Sequence, residues 1–239
     1  MLAVWVILSF LVLIAWAFAC RRLLDNPRED FSAGVVWHTM RLYARLVHRV
    51  RIEGTVNLPL QRFPGPLILV SNHTAGIDPL LVQSVCRFEI RWVMAQDMRH
   101  PLLEWFWQLA NVIFVDRAAG DAMGAREAIR HVRSGGVLGI FPEGGLERPP
   151  RTIMPFLAGV GLIIKRTEAP VLPVVVRDTP VADQAWTSLL RLSRSVVTFH
   201  TPIRYSKSDA PEKIAMDLRS RYAQWTGWPL SESGVGPTI

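Results

Sequence analysis

The chain alternates short apolar runs with longer helical stretches, and this alternation restricts its fold more than any other feature. Seven runs have the length and composition of buried strands, at residues 50–54, 67–70, 90–95, 112–115, 137–141, 171–176 and 196–205. Helical stretches lie between them, at 78–86, 101–110, 121–133, 159–166 and 211–225. The pattern therefore predicts an α/β fold with a mostly parallel central sheet of about seven strands flanked by helices. Pro173 lies inside one run and indicates an edge strand or a break there.

Residues 1–20 contain no charged side chain. A helix of this length is about 30 Å long, enough to cross a bilayer core, so we predict a transmembrane anchor helix over 1–24. The first basic residues come after this stretch, at Arg21, Arg22 and Arg28. The positive-inside tendency then predicts a single N-terminal anchor in the cell membrane, with the remaining chain facing the cytoplasm. A cleaved signal peptide is the alternative, because Ala17-Phe18-Ala19 resembles a cleavage site.

The segment 25–50 is predicted to form an amphipathic helix with a basic stripe beside apolar positions. The stripe consists of Arg41, Arg45 and Arg49. Such a helix can lie in the membrane interface with its cations toward lipid headgroups, and a surface helix packed on the domain is the alternative. The α/β domain is then expected over 51–228, followed by a flexible tail over 229–239.

The composition and charge of the chain limit the classes of molecule that it is expected to bind. Half of the residues are hydrophobic and the formal net charge is +7, which suits anionic lipid headgroups and phosphate-bearing substrates. No nucleic-acid partner is expected, because the chain has no nucleic-acid-binding signature. No metal or other cofactor is expected either, since the histidines lack the spacing of metal ligands. Two cysteines do not make a disulfide framework and fit a reducing compartment.

The segment 71–79 follows the predicted strand at 67–70 and contains His73 and Asp78. Asp78 is predicted to cap a helix, with Pro79 at its first position. A carboxylate on the same loop can fold back, fix the tautomer of the imidazole and stabilise the imidazolium, which makes His73 a candidate general base. The alternative is that Asp78 only caps its helix and His73 is an ordinary polar loop residue.

Two further polar segments follow predicted strands. Asp116-Arg117 comes after the strand at 112–115, and Phe141-Pro142-Glu143-Gly144 overlaps the end of the strand at 137–141. Parallel strands bring their carboxyl ends to one edge, where α/β sheets bind ligands. A base, a guanidinium and a turn with a carboxylate at that edge suit deprotonation of a hydroxyl on a phosphate-bearing molecule. Taken singly, Arg117 fits a surface charge and Glu143 a loop carboxylate.

Together with Pro170-Val171-Leu172-Pro173, these segments resemble the four ordered motifs of the glycerolipid acyltransferases. The nearest branch is the 1-acyl-glycerol-3-phosphate (lysophosphatidic acid) acyltransferases, and the resemblance covers about residues 67–176. It implies transfer of a fatty acyl group from an acyl-CoA or acyl-carrier-protein thioester to the free hydroxyl of a lysophospholipid. It also implies that His73 is the base, that Asp78 supports it, and that Arg117, Glu143 and Gly144 hold the acceptor.

The resemblance is incomplete after the Glu-Gly pair. Members acting on lysophosphatidic acid commonly continue with Thr-Arg-Ser, where this chain has Gly145-Leu146-Glu147, and a lysine often found after the next Pro-Phe is Leu157. Two phosphate-binding contributions are therefore absent or relocated. Arg148 either substitutes for them or is a solvated loop residue. The acceptor is lysophosphatidic acid, a lyso-ornithine lipid or another lysophospholipid, and a catalytically inactive membrane-binding relative is the non-enzymatic alternative.

The chain has no Gly-x-Ser-x-Gly sequence, which argues against a serine hydrolase. Direct attack is then the simpler scheme. His73 takes a proton from the acceptor hydroxyl, and the oxygen attacks the thioester carbonyl.

Overall fold

The computed structural model describes residues 1–116, 122–181 and 185–232. Its strands are β1 (Arg51–Glu53), β2 (Leu67–Ser71), β3 (Arg91–Ala95), β4 (Ile113–Val115), β5 (Val137–Ile140), β6 (Val171–Arg177) and β7 (Val196–Phe199). Its α-helices are α1 (Leu2–Leu24), α2 (Phe31–Leu46), α3 (Asp78–Val85), α4 (Glu104–Ala110), α5 (Ala122–Arg133), α6 (Ala158–Thr167) and α7 (Pro211–Thr226). Each of the seven predicted strands is present.

The seven strands form one sheet in the order β1-β7-β6-β2-β5-β3-β4. Strands β2 to β6 run parallel to one another. At one side β7 is antiparallel to β6, and β1 is parallel to β7. The prediction of a mostly parallel sheet is confirmed, with a reversed pair at one edge. Because β2 lies between β5 and β6, the loop that follows it stands in the middle of the carboxyl edge.

Strand β2 is buried on both faces, as a central parallel strand must be. Alternate side chains point to opposite sides of the sheet. Leu69 belongs to the core layer that contains Leu81 of α3. Val70 belongs to the opposite layer, which contains Leu218 of α7. Packing on both faces fixes the end of β2 and therefore the start of the loop that carries His73.

Pro173 does not lie on an edge strand, but the other predicted alternative, a break in the pairing, is present. It lies in β6, between β2 and β7, and its carbonyl accepts a hydrogen bond from the backbone N–H of His200 (3.0 Å). The pairing with the chain around β7 shifts by one residue between the Val171–Ile203 bridge and the Val174–Phe199 pair. Proline is tolerated at such an irregularity because the regular ladder is already interrupted there.

The two N-terminal helices differ in their contacts. Helix α1 is long and apolar enough to cross a membrane by length and composition, and none of its residues is buried. Helix α2 buries Trp37 and Ala44 and packs on α3, where Arg41 Nε donates to the carbonyl of Ser84 (2.9 Å). Helix α2 thus packs on the domain, and its location in the membrane interface stays a prediction. Arg49 lies beyond its end, so the predicted three-arginine stripe is wrong at that position.

The described chain stays attached to the domain past residue 228, where the flexible tail was expected to begin. Ile153 donates to the carbonyl of Pro229 (2.9 Å) and accepts from the N–H of Ser231 (3.0 Å). This short pairing continues the ordered chain to residue 232. Residues 233–239 of the predicted tail lie outside the described residues.

Candidate active site

The loop between β2 and α3 folds around one buried carboxylate. Asp78 Oδ2 accepts hydrogen bonds from His73 Nδ1 (3.0 Å) and from the backbone N–H groups of Thr74 (2.7 Å) and Ala75 (2.9 Å). Asp78 is the first residue of α3, so its predicted position as the N-cap is one residue off; Ile77 holds that place. The carboxylate turns back to the N–H groups of the loop, and this fold brings it to the imidazole.

The ring of His73 is fixed by its partner and by stacking. Because Nδ1 donates to the carboxylate, Nε2 carries the lone pair. Nε2 has no hydrogen-bond partner among the described residues, and the His73 side chain is 18% exposed. The ring stacks on Phe141, with centroids 4.0 Å apart, and Phe141 stacks on Trp92. This is an oriented imidazole with one nitrogen available for a proton.

Glu143 joins the end of β5 to the His73 loop. Its Oε1 accepts from the backbone N–H of His73 (2.9 Å), and its Oε2 accepts from the N–H of Met154 (3.1 Å). Glu143 is fully buried, and burial raises the pKa of its carboxyl to about 8, although both N–H groups oppose that rise. In this structure Glu143 holds the loop. A direct contact between its carboxylate and the acceptor stays a prediction.

Gly144 follows in a turn with φ of +72°, a conformation that glycine adopts without strain. A Cβ at this position would also approach Leu157 Cδ1 at 2.7 Å. Arg117, the predicted guanidinium, lies outside the described residues. Asp116 beside it is exposed at the end of β4, which is separated from β5 by β3 and so lies about 10 Å away. The structure therefore brings together His73, Asp78, Glu143 and Gly144.

Two buried side chains that support the site were not predicted. The Asn72 amide donates to the carbonyl of Val176 (3.0 Å) and accepts from its N–H (2.8 Å). The hydroxyl of Tyr222 donates to the carbonyl of Val70 and accepts from the N–H of Val174 (3.1 Å). Side chains thus bridge β2 and β6 just before His73. Asn72 adjoins the histidine and was open to inference, whereas Tyr222 looks like one more apolar position of α7.

A carboxylate-held imidazole at the carboxyl edge of an α/β sheet has the geometry of a general-base site. The family model for Acyltransferase matches residues 49–177, more than half of the chain, and it spans this whole site. The chain belongs to the acyltransferase family.

Curated relatives narrow the branch of that family. A 1-acyl-sn-glycerol-3-phosphate acyltransferase from Limnanthes douglasii is 28% identical over 247 aligned positions, covering 97% of this chain and 79% of the relative. Proteins of the same name from Saccharomyces cerevisiae and Borreliella burgdorferi are 26% and 31% identical, covering 62% and 55% of this chain. The chain spans about half the length of these two relatives, 48% and 52%.

The fold has a counterpart among solved structures. The crystal structure of the 1-acyl-sn-glycerophosphate acyltransferase from Thermotoga maritima matches with a TM-score of 0.61 and 20% identity. The match covers 84% of this chain and 83% of the Thermotoga protein. At this identity the likeness extends to the fold, including the central sheet and its flanking helices.

Proposed function

We propose that this chain is a membrane-anchored 1-acyl-sn-glycerol-3-phosphate acyltransferase of phospholipid biosynthesis. Its substrates are then lysophosphatidic acid and a fatty acyl thioester of coenzyme A or of acyl-carrier protein. The observation that carries the proposal is the hydrogen bond between His73 Nδ1 and Asp78 Oδ2 (3.0 Å). The names of the curated relatives support the choice of acceptor.

The reaction requires one proton to move twice. His73 Nε2 takes the proton of the acceptor hydroxyl while the hydroxyl oxygen bonds to the thioester carbonyl carbon. The tetrahedral intermediate then collapses, the C–S bond breaks, and the departing sulfur takes the proton from the imidazolium. Asp78 accepts from Nδ1 throughout and stabilises the positive ring. General-base assistance of this kind is typically worth about 100- to 10,000-fold in rate.

The N-terminal helix supports a location at the membrane. Helix α1 exposes apolar side chains around its whole circumference, and Arg21 and Arg22 lie in its last turn. An anchor helix followed by arginines favours a catalytic domain on the cytoplasmic side, where both proposed acyl donors are available. Protease treatment of sealed, inside-out vesicles should digest the domain. Protection of the domain in those vesicles would contradict the orientation.

A second acceptor class is favoured by one local feature. After Gly144 the chain continues with Gly145, Leu146 and Glu147, and both Leu146 and Glu147 are buried. A buried leucine supplies no charge to a phosphate. The same chemistry on a lyso-ornithine lipid or on another lysophospholipid is therefore the alternative to be tested.

Lipid analysis distinguishes these functions. The purified full-length chain is incubated in phospholipid vesicles with one lysolipid at a time and a radiolabelled acyl donor, either acyl-CoA or acylated carrier protein. We expect labelled phosphatidic acid from lysophosphatidic acid. Faster labelling of a different acceptor would move the assignment to that acceptor. No labelled product with any acceptor, from either acyl-CoA or acyl-carrier protein, would contradict the enzymatic proposal.

A further inference from the structure

A cavity opens one residue away from the proposed base. The polar part of its lining consists of Thr74, Glu147, Arg148, Arg151, Asp178 and Thr179. Thr74 is the chain neighbour of His73, and the backbone N–H of Glu147 donates to the carbonyl of His73 (2.8 Å). The cavity and the base therefore share one rigid piece of backbone.

Two guanidinium groups give the cavity its positive charge, those of Arg148 and Arg151. Arg151 Nη2 lies 3.7 Å from Asp178 Oδ1, and these two side chains are 74% and 55% exposed. An exposed ion pair at this distance contributes little to stability, so Arg151 is able to turn toward a bound anion. Guanidinium groups bind phosphate oxygens through paired, charge-assisted hydrogen bonds.

Glu147 is the unusual member of this cavity because it is only 3% exposed. Its Oε1 accepts from the backbone N–H of Arg151 (2.8 Å), while its Oε2 has no hydrogen-bond partner among the described residues. A buried oxygen without a donor is unfavourable. A ligand that brings a hydrogen-bond donor next to its negative charge would supply a donor to Oε2 and an anion to the two positively charged guanidinium groups.

The groups around Glu147 set its protonation. Burial raises the pKa of its carboxyl to about 7, and the charge of Asp78 raises it further in the same direction. The N–H of Arg151 and the charges of Arg148 and Arg151 oppose this rise. Glu143 is the remaining carboxyl that interacts with it. Glu147 thus exchanges its proton in the pH range where a phosphomonoester gains or loses its second proton.

We propose that this cavity binds the phosphate of a lysolipid phosphomonoester, and that Glu147 selects the monoester over a phosphodiester by sharing one proton with it. The inference rests on the proposed function and adds that the chain recognises the phosphate group of the acceptor. The arginines bind the charged oxygens, and Glu147 Oε2 accepts from the P–OH group of the monoester. A phosphodiester has no such group. In lysophosphatidic acid only two carbons and the ester oxygen separate the free hydroxyl from the phosphorus, which matches a cavity beside the base.

The test is a comparison of acceptors with Glu147→Gln. The kcat/KM values are measured at about pH 6.5, where the phosphate and Glu147 together hold about one proton. The acceptors are lysophosphatidic acid, lysophosphatidylglycerol, lysophosphatidylethanolamine and monoacylglycerol, and the proteins are wild type, Glu147→Gln and Glu212→Gln. Glutamine keeps the acceptor for the Arg151 N–H and replaces Oε2 by a donor. We expect the preference for lysophosphatidic acid over both diesters to fall by at least about tenfold in Glu147→Gln, which is the value of one charge-assisted hydrogen bond. Glu212 is exposed on α7, and its variant should match wild type.

An unchanged preference in a folded Glu147→Gln variant would overturn the inference while leaving the proposed function intact. A wild-type preference for lysophosphatidylethanolamine would overturn it too, and would assign the mixed charges of the cavity to a zwitterionic headgroup. Monoacylglycerol has no phosphate, so its turnover should not respond to Glu147→Gln. If the variant does not fold, wild type alone gives the answer. The kcat/KM for lysophosphatidic acid relative to monoacylglycerol should fall as the pH rises from about 7 to about 9, because the phosphate and Glu147 have then both lost the proton that they share. A constant or rising ratio would contradict the inference.

Discussion

The backbone N–H of His73 donates a hydrogen bond to Glu143 Oε1, 2.9 Å away. This bond joins the loop after β2 to the turn after β5. The other oxygen, Oε2, accepts a hydrogen bond from the backbone N–H of Met154 (3.1 Å). The proposed base, His73, is therefore positioned by two carboxyl groups. Asp78 holds its ring and Glu143 holds its backbone. Because the two residues have separate roles, substitutions of Asp78 and of Glu143 should have different effects.

Glu143→Gln should leave one of the two backbone N–H groups facing another donor. We expect the free energy of unfolding to fall by about 1–3 kcal/mol, because a buried hydrogen bond is lost and a polar group is left unsatisfied. We also expect kcat to fall because the His73 loop is no longer fixed. Denaturant unfolding and acyl-transfer kinetics measure the two effects. Wild-type stability and kcat in this variant would show that Glu143 does not hold the loop.

Stability should decrease as the pH rises through the range in which Glu143 titrates. Its ordinary carboxyl pKa of 4.5 is raised to about 8 in the folded chain. Between these values the folded state binds more protons than the unfolded state, so the free energy of unfolding falls with increasing pH. The slope from this one group is at most about 1.4 kcal/mol per pH unit. Unfolding curves from about pH 5 to about pH 8 should show the decrease in wild type, and a smaller one in Glu143→Gln. Equal slopes would contradict the assignment.

Tyr222→Phe should weaken the junction of β2 and β6. The hydroxyl donates to the carbonyl of Val70 and accepts from the N–H of Val174, and the substitution removes both hydrogen bonds. We expect a loss of about 1–3 kcal/mol in unfolding free energy and a reduced kcat. Tyr205→Phe is the matched control, because it also removes a tyrosine hydroxyl bonded at α7, but its bond to Asp217 does not join β2 to β6. Equal kcat values for the two variants would limit Tyr222 to a structural role.

Gly76→Ala should disturb the loop between His73 and Asp78. A Cβ at residue 76 would run into the backbone carbonyl of Ala185, whereas a Cβ at Gly159 meets no atom within 4 Å. We expect Gly76→Ala to lower activity and thermal stability. Gly159→Ala should preserve activity and increase stability slightly, by about 0.5–1 kcal/mol, because Gly159 lies in helix α6. Comparable melting temperatures for the two variants would contradict the packing described here.

The sheet was predictable because its strands are short apolar runs between helices that end in recognisable residues. Each observed strand overlaps its predicted range. What the sequence did not indicate is which strands pair with each other and in which direction. Pro173 left open an edge strand or a break in the pairing, and only the contacts between β6 and β7 show that the break is the correct alternative. The reversed pair β1 and β7 was equally hidden, since strand direction depends on contacts between distant segments.

The contact within one loop of the candidate site was predictable, whereas the contacts between segments far apart in the sequence were not. His73 and Asp78 are five residues apart on one loop, so their contact followed from the segment itself. The bond from His73 to Glu143 spans 70 residues, and only the parallel arrangement of β2 and β5 brings the two motifs together. Tyr222 acts on the same strand end across 152 residues. The free oxygen of Glu147 depends on its burial, which its place in a polar loop does not indicate.

The measurement that tests the central claim most directly is acyl transfer by His73→Ala and Asp78→Asn in the purified full-length chain. His200→Ala is the control, because His200 follows the antiparallel strand β7 and contacts neither residue. We predict that His73→Ala lowers kcat by at least about 100-fold while the variant still folds and inserts into membranes, and that Asp78→Asn lowers kcat as well. His200→Ala should retain activity. Undiminished acyl transfer by folded His73→Ala would contradict the account.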